Sequence, residues 1–443
     1  MPGKWWLLGA KQLHANRIPL NIQSTSWRTL RRLASAADFG SPQRSSRSLQ
    51  TSQPLKIRGY SEDRNTGALR IVPVAGRRLL RSFIELPWSL YADDPCWVPP
   101  LIIERQWHLS KKNPYFEHAN FQAWIACRGE RAVGRISAQV DQLHLQRYHD
   151  ATGFFGFLEA EDAAETFRCL FGVAEEWLRQ QGMQRVRGPF SLSINDECGL
   201  LVEGFDSPPP MMLGHALPHY GWRVEEQGYA KEQDLLAYLV PPDVLPPRQL
   251  ETLAKRFAGR VKVRALQRDR FHEELEIIRD IFEDAWSQNW GFVPFTPAEF
   301  AELGKNLKLL VDAESVRIAE VDGEPAAMIV MFPNLNELIK DLNGRLLPLG
   351  WLKLLWRLKV VGARSARIPL MGVRRRYQGS LLGAALALMV ISPIHEKARR
   401  QGFAEVDMSW ILEQNQGMRK IIDEVGGKLY KRYRIYQKDL QAG

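Results

Sequence analysis

The chain has 443 residues, of which 45% are hydrophobic and 25% charged, a composition typical of a globular protein with two or three domains. Its net charge is +10, but residues 1–60 contain ten Lys or Arg and a single acid, so the rest of the chain is nearly neutral. This distribution does not require a basic stripe along the folded part and argues against a nucleic-acid partner.

The first 67 residues are basic, rich in Ser and poor in acids, and we predict a disordered N-terminal extension over residues 1–67. A start codon placed too far upstream would give the same composition, and we favour either interpretation over a targeting segment. No run of 18 apolar residues occurs, so no membrane span is expected.

Cysteine and histidine spacing gives no sign of a metal site or of a disulfide scaffold. The four cysteines lie far apart in sequence, and the histidines lack the HExxH pattern, so we expect buried thiols, a reducing cytoplasmic compartment and no catalytic metal. A Cys198–His118 nucleophilic pair is the alternative, but no sequence pattern supports it.

Hydrophobic periodicity gives the elements in chain order. In the first part of the chain they are a strand (69–74), a helix (77–91), a hairpin (121–127 and 132–140) and an amphipathic helix (163–181). After the proline cluster of 241–247 they are a strand (261–265), a helix (272–289), a hairpin (316–321 and 326–331), a strand (368–373), a helix to about residue 400 and a strand (405–410).

The two parts of the chain repeat each other. Residues 179–186 match 399–406 at an offset of 220, and the same offset places Asn195 on Asn415. A repeat of this length indicates a duplicated domain. We therefore predict a first domain over 68–240, a linker over 241–260 and a second domain over 261–440.

A candidate anion site follows the strand at 368–373, where a basic turn leads into a strongly apolar helix. The first amides of a helix have no intrahelical acceptor, and the helix dipole adds positive charge at that end. Gly379 and Gly383 allow close backbone approach, and the arginines at 374–376 attract phosphate.

The segment Tyr377–Gly383 resembles the pyrophosphate loop of the GNAT superfamily of CoA-dependent acyltransferases. Gln378 and Gly383 match the outer positions of its pattern, and Leu381 stands where the inner glycine is expected. The resemblance implies an α/β (α+β) fold of two tandem GNAT-like domains, each a mixed, mostly antiparallel sheet flanked by helices. It implies that acetyl-CoA or a longer acyl-CoA is the co-substrate and that the CoA-binding residues are Val373, Arg374, Arg376, Tyr377, Gln378, Gly379, Ser380, Leu381, Leu382, Gly383, Ala384 and Asn415. The first domain has acidic residues (157–162) at the corresponding place, so only the second should bind CoA.

Acidic residues are densest between 191 and 210, where they alternate with apolar ones. Carboxylates in apolar surroundings have raised pKa values and can act as bases. The candidate catalytic residues are Asn195, Asp196, Glu197, Glu203 and Glu413. The alternative interpretation is helix capping by Asn195 or Asp196 and solvation of the other acids.

The tyrosine that GNAT enzymes often use as general acid is replaced here by Ile422, and Tyr430 or Tyr433 is a possible substitute unless it belongs to the core. The segment 191–210, together with 91–95 and 111–118, resembles an uncharacterised bacterial family of double GNAT-like proteins. The activity that the resemblance implies is similar in kind to that of the bacterial ceramide synthases, which acylate long-chain amines.

An apolar stripe at 346–358 is interrupted by Lys353 and Arg357. Core packing is the default for such a stripe, and the second interpretation is a lid or interfacial helix at a membrane surface. We predict an acyl-CoA-dependent N-acyltransferase acting on a small-molecule or lipid amine, as a monomer or homodimer with peripheral membrane contact. The alternative is a GNAT-fold binding module without catalysis.

Overall fold

The computed structural model of the protein describes residues 68–242, 252, 255–308 and 312–440. The predicted extension (1–67) and most of the predicted linker (241–260) lie outside these residues. The strands are β1 (Leu69–Pro73), β2 (Ala119–Arg128), β3 (Arg131–Asp141), β4 (Thr152–Ala160), β5 (Arg185–Gly188), β6 (Phe190–Ser191), β7 (Glu197–Cys198), β8 (Leu200–Glu203), β9 (Ala230–Val240), β10 (Val261–Ala265), β11 (Val316–Val321), β12 (Glu324–Pro333), β13 (Ser365–Val373), β14 (Glu405–Leu412) and β15 (Lys428–Asp439).

The helices flank the sheet formed by most of these strands. They are α1 (Gly76–Glu85), α2 (Pro87–Leu90), α3 (Ile102–His108), α4 (Gln142–Tyr148), α5 (Ala164–Gln180), α6 (Tyr220–Glu225), α7 (Phe271–Trp286), α8 (Pro297–Leu307), α9 (Leu335–Ile339), α10 (Gly350–Trp356), α11 (Leu381–Gln401) and α12 (Gln416–Glu424). A π-helical turn, Arg357–Val361, continues α10.

One continuous sheet runs through the described residues in the order β1-β2-β3-β4-β5-β15-β9-β14-β13-β12-β11-β10, with β8 also paired to β15. The pairs β4–β5 and β13–β14 are parallel, and the other pairs are antiparallel. The order is therefore symmetric about the β15–β9 pair. We refer to residues 68–240 as the first half and to residues 261–440 as the second half.

The last strand of each half pairs with the other half. Strand β9 lies beside β14, with Val406 opposite Val240, and β15 lies beside β5, with Tyr436 opposite Gly188. Side chains of β9 and β15 are also buried in the core of the other half. They come from one face of each strand, because alternate residues of a strand face opposite sides of the sheet. Leu236 and Tyr238 of β9 belong to the core of the second half, whereas Tyr433 of β15 belongs to the core of the first.

Two long helices cover these cores. Helix α5 buries an apolar stripe at three- and four-residue spacing against β2, β3 and β4. In the second half α11 packs on β11, β12 and β13 and ends at Gly402, whose left-handed φ of 73° stops it. By length and composition α11 is the one described helix apolar enough to cross a membrane, but half of its apolar window is buried inside the protein.

Most elements predicted from the sequence are present, with differences at two places. The predicted helix 77–91 is divided into α1 and α2, with Pro87 at the start of α2. The residues predicted to correspond to the glycine loop, 157–162, are not a loop over most of their length, because residues 157–160 complete β4. Only residues 161–163 connect β4 to α5.

Candidate active site

A cleft opens where β13 and β14 separate. The two strands pair in parallel as far as Ile368 and Met408, and beyond this point the cleft of about 580 Å³, counted to its open mouth, lies between them. Its polar lining includes Arg367 and Ser409 from the strands and Asn195 and Asp196 from the first half. The apolar walls are formed by Met212, Phe282, Trp286, Phe295, Leu303, Phe332, Pro369, Leu370 and Trp410. Strand β13, which leads into the candidate anion loop, and the acidic segment 191–210 therefore both line this cleft.

The predicted phosphate loop connects β13 to α11. The Gln378 side-chain amide donates to the carbonyl of Val373 at the end of β13 (2.8 Å), which holds the loop to the strand. Ser380 caps the helix: its hydroxyl accepts a hydrogen bond from the amide of Gly383 (3.0 Å) and donates one to the carbonyl of Tyr377 (2.6 Å). The amides of Leu381 and Leu382, which lie between Ser380 and Gly383, have no intrahelical acceptor and remain available to an anion.

Glycine is required at the centre of this loop. A Cβ atom on Gly383 would lie 2.1 Å from the carbonyl oxygen of Tyr377, so any side chain there would displace the loop. Gly379 has a φ of +70°, which only glycine adopts without strain. Leu381, by contrast, is 60% exposed, so its side chain at the inner glycine position of the pattern points away from the core.

The three arginines of the loop differ in their partners. The guanidinium of Arg374 pairs with Asp280, and that of Arg375 lies 3.5 Å from the carboxylate of Asp284, so acids of α7 pair with both cations. Arg376 stacks over the ring of Tyr377 at 4.9 Å and, in the described part of the chain, has no acidic partner. Of the three, Arg376 is the arginine best placed to attract a phosphate.

In the first half, the position that corresponds to the loop between β13 and α11 is closed. The connection from β4 to α5 has three residues, and its acid Glu161 pairs with Arg128. Between β4 and β5, a Cβ atom on Gly156 would lie 1.8 Å from the carbonyl oxygen of Phe190, so the chain itself fills the space that remains open in the second half. The first half therefore has no open loop at this position, and CoA binding by the second half alone stays a prediction.

Asp196 is the acid that faces the cleft. One carboxylate oxygen accepts hydrogen bonds from the amide and the hydroxyl of Ser193 (3.2 and 2.8 Å), and the other lies 3.6 Å from Nε2 of His108. Burial raises the pKa of Asp196 to about 6, and the carboxylates of Glu299 and Glu197 add to this effect while the bonds from Ser193 oppose it. Asp196 is therefore ionised at neutral pH and still basic enough to accept a proton.

The neighbour of Asp196 has a different role. Burial alone would raise the pKa of Glu197, but its ion pair with Arg105 holds that pKa below the ordinary value. Arg105 and His108 lie on α3, an element that was not predicted from the sequence. Nε2 of His108 is buried and has no hydrogen-bond partner among the described residues, and burial lowers the pKa of this imidazole.

The other predicted residues hold the structure together. Glu203 pairs with Arg432 (3.0 Å), and Glu413 pairs with Lys231 (2.7 Å) and accepts from the amide of Asp234 (3.2 Å), so neither carboxylate lines the cleft. Asn415, which the resemblance implied for CoA binding, caps α12 by accepting from the amide of Met418 (3.1 Å) and does not line the cleft.

Asn195 does line the cleft. Its side-chain amide donates to the carbonyl of Val293 (3.1 Å), which connects the acidic segment to the chain before α8.

A buried polar network at the base of the cleft was missed in the sequence. Arg367 and Asp407 lie opposite each other in the parallel register, and Arg367 donates to the hydroxyl (3.2 Å) and carbonyl (3.1 Å) of Ser409. Tyr430 donates to the carboxylate of Asp407 (2.7 Å). Burial raises the pKa of Asp407 and lowers that of Arg367. The sequence does contain a sign of this network, because Arg367 and Asp407 each stand between two apolar residues of their strands.

The remaining candidates are structural. Ile422 is fully buried in the core of the second half, and Tyr433 is buried in that of the first. His118 bridges Asp141 (3.0 Å) and Glu299 (3.2 Å), so it does not form a pair with Cys198. The described residues contain no group of three or more His, Cys, Asp or Glu placed to hold a metal ion.

Comparison with known proteins gives two close relatives, although no protein-family profile matches the chain. Protein YghO of Escherichia coli K12 is 49% identical over 362 residues, which are 82% of this chain and 93% of that protein. The bacterial ceramide synthase of Caulobacter vibrioides is 46% identical over 381 residues, 85% of this chain and 99% of that protein.

Solved structures give the fold. A tandem GNAT protein from the clavulanic acid biosynthesis pathway covers 85% of this chain and all of its own, with a TM-score of 0.50 and 14% identity. The GCN5-related glucosamine N-acetyltransferase region of a fungal β-N-acetylglucosaminidase covers 84% of this chain and 38% of its own, with a TM-score of 0.51 and 13% identity. The predicted α/β fold of tandem GNAT type is confirmed.

Proposed function

Because the chain belongs to the family that contains YghO and the bacterial ceramide synthase of Caulobacter vibrioides, we propose that it is an N-acyltransferase. In this proposal a primary amine attacks the thioester carbonyl of acyl-CoA, the C–S bond breaks, and CoA leaves as a thiolate that takes up a proton, which gives an amide and free CoA. The preferred acceptor is a long-chain, sphingoid-type amine. The observation that carries the proposal is the position of Asp196, a carboxylate of raised pKa, in a largely apolar cleft between β13 and β14.

The residues of the loop fit a pyrophosphate group. The free amides of Leu381 and Leu382, the dipole of the 21-residue helix α11 and the cation of Arg376 would hold it. Bound acyl-CoA supplies a thioester carbonyl activated for attack by an amine. The cleft is lined by the strand that leads into this loop, and its Phe and Trp side chains suit an acyl chain.

Asp196 would act as general base. Its ionised carboxylate removes a proton from the attacking amine, and its pKa near 6 keeps it ionised at pH 7. Ser193 fixes one carboxylate oxygen and leaves the other directed towards His108. Arg105 keeps Glu197 ionised, and the negative charge of Glu197 helps to keep the pKa of Asp196 high.

The proposal includes the division of the chain into domains at 68–240 and 261–440, a cytoplasmic location, and action as a monomer or homodimer. A non-catalytic binding module is the second candidate. It is favoured by Ile422, which stands in the place of the usual tyrosine acid, and by Leu381 in place of the inner glycine.

Two measurements, made one after the other, test the proposal. Thermal shift is recorded with CoA, acetyl-CoA and a long-chain acyl-CoA, and a ligand at 100 times its dissociation constant should stabilise the folded state by about 2.7 kcal/mol. Mass spectrometry then follows N-acylation of a sphingoid base and of a short primary amine. Stabilisation without product from either amine would favour the binding module, and no stabilisation by any of the three would contradict the CoA site.

A further inference from the structure

The second half has a concentrated patch of exposed apolar side chains. Seven of the eleven most exposed large hydrophobic residues in the described chain lie within the fifteen residues 347–361. Their exposed fractions are 79% for Leu347, 67% for Leu349, 45% for Leu352, 45% for Leu355, 54% for Trp356, 54% for Val360 and 56% for Val361. Patches of this kind on a protein surface mark sites of interaction. We call residues 347–361 the apolar face.

The helix at the centre of this face is two-sided. Leu352, Leu355 and Trp356 point outward at three- and four-residue spacing, while Leu354 is buried and Leu358 packs partly on the same core cluster. The default prediction, that the whole stripe is core, is therefore wrong for the outward residues. Their exposure is a property of the fold, because the inner side of the same helix already has its packing partners.

An ion-pair cluster fixes the orientation of the helix. The carboxylate of Asp341 binds both Lys353 and Arg357, and Arg357 also donates to the carbonyl of Leu338 (2.7 Å). The ion pairs hold the pKa of Asp341 well below its usual range, with the hydrogen bonds from Arg357 as the largest cause. The charged residues that interrupt the apolar stripe thus attach it to the body of the protein.

The charges that remain around the apolar face are positive. Arg345, Lys359 and Arg364 are exposed, and among the described residues none of their side chains has an acidic partner. The backbone amide of Arg364 does donate to the carboxylate of Glu337 (2.6 Å). Trp beside aliphatic residues, with cations at the margin, is the composition of helices that lie in the plane of a membrane interface. The positive margin is complementary to a surface of anionic lipids.

We propose that the apolar face docks the protein on an anionic lipid bilayer. The exposed Leu, Trp and Val side chains enter the boundary between headgroups and acyl chains, and Arg345, Lys359 and Arg364 contact the lipid phosphates. The inference goes beyond N-acyl transfer and does not depend on it, since binding to lipid requires neither acyl-CoA nor an amine.

The test is co-sedimentation of the full-length protein with vesicles of phosphatidylcholine alone and with about 30% phosphatidylglycerol, at two salt concentrations. We expect binding to the anionic vesicles that weakens with salt. The double variant Leu355→Glu/Trp356→Glu should lose at least tenfold in affinity, and Lys359→Gln roughly fivefold, as expected for one surface cation. Trp222→Glu changes a tryptophan of similar exposure (48%) elsewhere and should bind like the wild type.

Three results would overturn the inference. They are the absence of binding to anionic vesicles by the wild type, equal binding by the double variant, and a wild-type dimer in light scattering that the double variant abolishes, which would assign the face to a second copy of the chain. Circular dichroism of each variant confirms that it is folded. Because no acyl-CoA is present, failure here leaves the test of N-acyl transfer unaffected.

Discussion

In Asp196→Asn the proposed base is replaced by an amide of nearly the same shape. The amide oxygen can still accept the hydrogen bonds from Ser193, so the local backbone should be retained. A general base typically contributes a factor of about 10² to 10⁴ in rate, and we expect kcat to fall by that amount while CoA affinity is unchanged. Glu203→Gln, an acid of the same segment that pairs with Arg432 outside the cleft, is the matched control and should retain activity.

The same substitution should stabilise the protein. Raising a carboxyl pKa from 3.8 to about 6 makes ionisation in the folded state less favourable by about 3 kcal/mol. Because 35% of the Asp196 side chain is exposed, solvent screening makes this value an upper limit, and we expect at least about 1 kcal/mol of it to remain. Asp196 of the folded wild type binds its proton more tightly than the same residue in the unfolded chain. The stability of the wild type therefore falls as the pH rises from about 4 to 6, and that of the Asn variant does not. Above pH 6 the variant should melt about 1–2 °C higher.

The pH dependence gives an independent readout. Both a neutral amine and an ionised Asp196 are required, so log kcat/KM of the wild type should rise with a slope of about 2 below pH 6 and about 1 above it. In the Asn variant the change of slope near pH 6 should disappear. Activity within threefold of wild type, or an unchanged pH profile, would refute the assignment of Asp196 as base.

Three other substitutions test separate parts of the site. Leu381→Glu should weaken CoA binding at least tenfold by calorimetry, with Leu381→Gln as control, because an acid at a helix start stabilises the helix but repels phosphate. Gly383 is unsuitable for this purpose, since any side chain would meet the Tyr377 carbonyl. Burial alone would lower the pKa of His118, but hydrogen bonds to two carboxylates raise it to about 9. His118→Asn should therefore lower the free energy of unfolding by on the order of 3 kcal/mol below pH 6.5, and this effect should decrease as the pH rises through 9. Urea titrations measure it. Arg367→Met should cost about 3–5 kcal/mol by leaving Asp407 buried and unpaired, and equal stability to wild type would contradict the buried pair.

Local signals in the sequence were sufficient for much of the fold. Periodicity gave the hairpins and the long helices, and the glycine and arginine pattern gave the loop before α11. The repeat at an offset of 220 gave the duplication. These features depend on residues close together in the chain, where side-chain spacing reports directly on burial.

The pairing between distant segments was not available from such signals. The exchange of β9 and β15 depends on register between distant strands, since Val240 pairs with Val406 and Gly188 with Tyr436, and no periodicity encodes it. For the same reason the sequence could not distinguish Asp196 from Glu203 or Glu413: all three lie close to apolar residues, and only the fold shows that Arg432 and Lys231 neutralise the last two. His108 was missed because it lies on α3, far from Asp196 in the sequence.

The location of the C-terminal strand has a consequence for synthesis of the protein. Gly188 on β5 pairs with Tyr436, so β5 leaves the ribosome long before its partner exists. At roughly 5–20 residues per second, the intervening chain takes on the order of ten to fifty seconds to make. During that time β5 has an unpaired edge of the kind that recruits other strands, and the nascent chain needs protection from aggregation. Truncation after residue 427 should therefore impair folding of the N-terminal part of the sheet, far from the deletion in sequence.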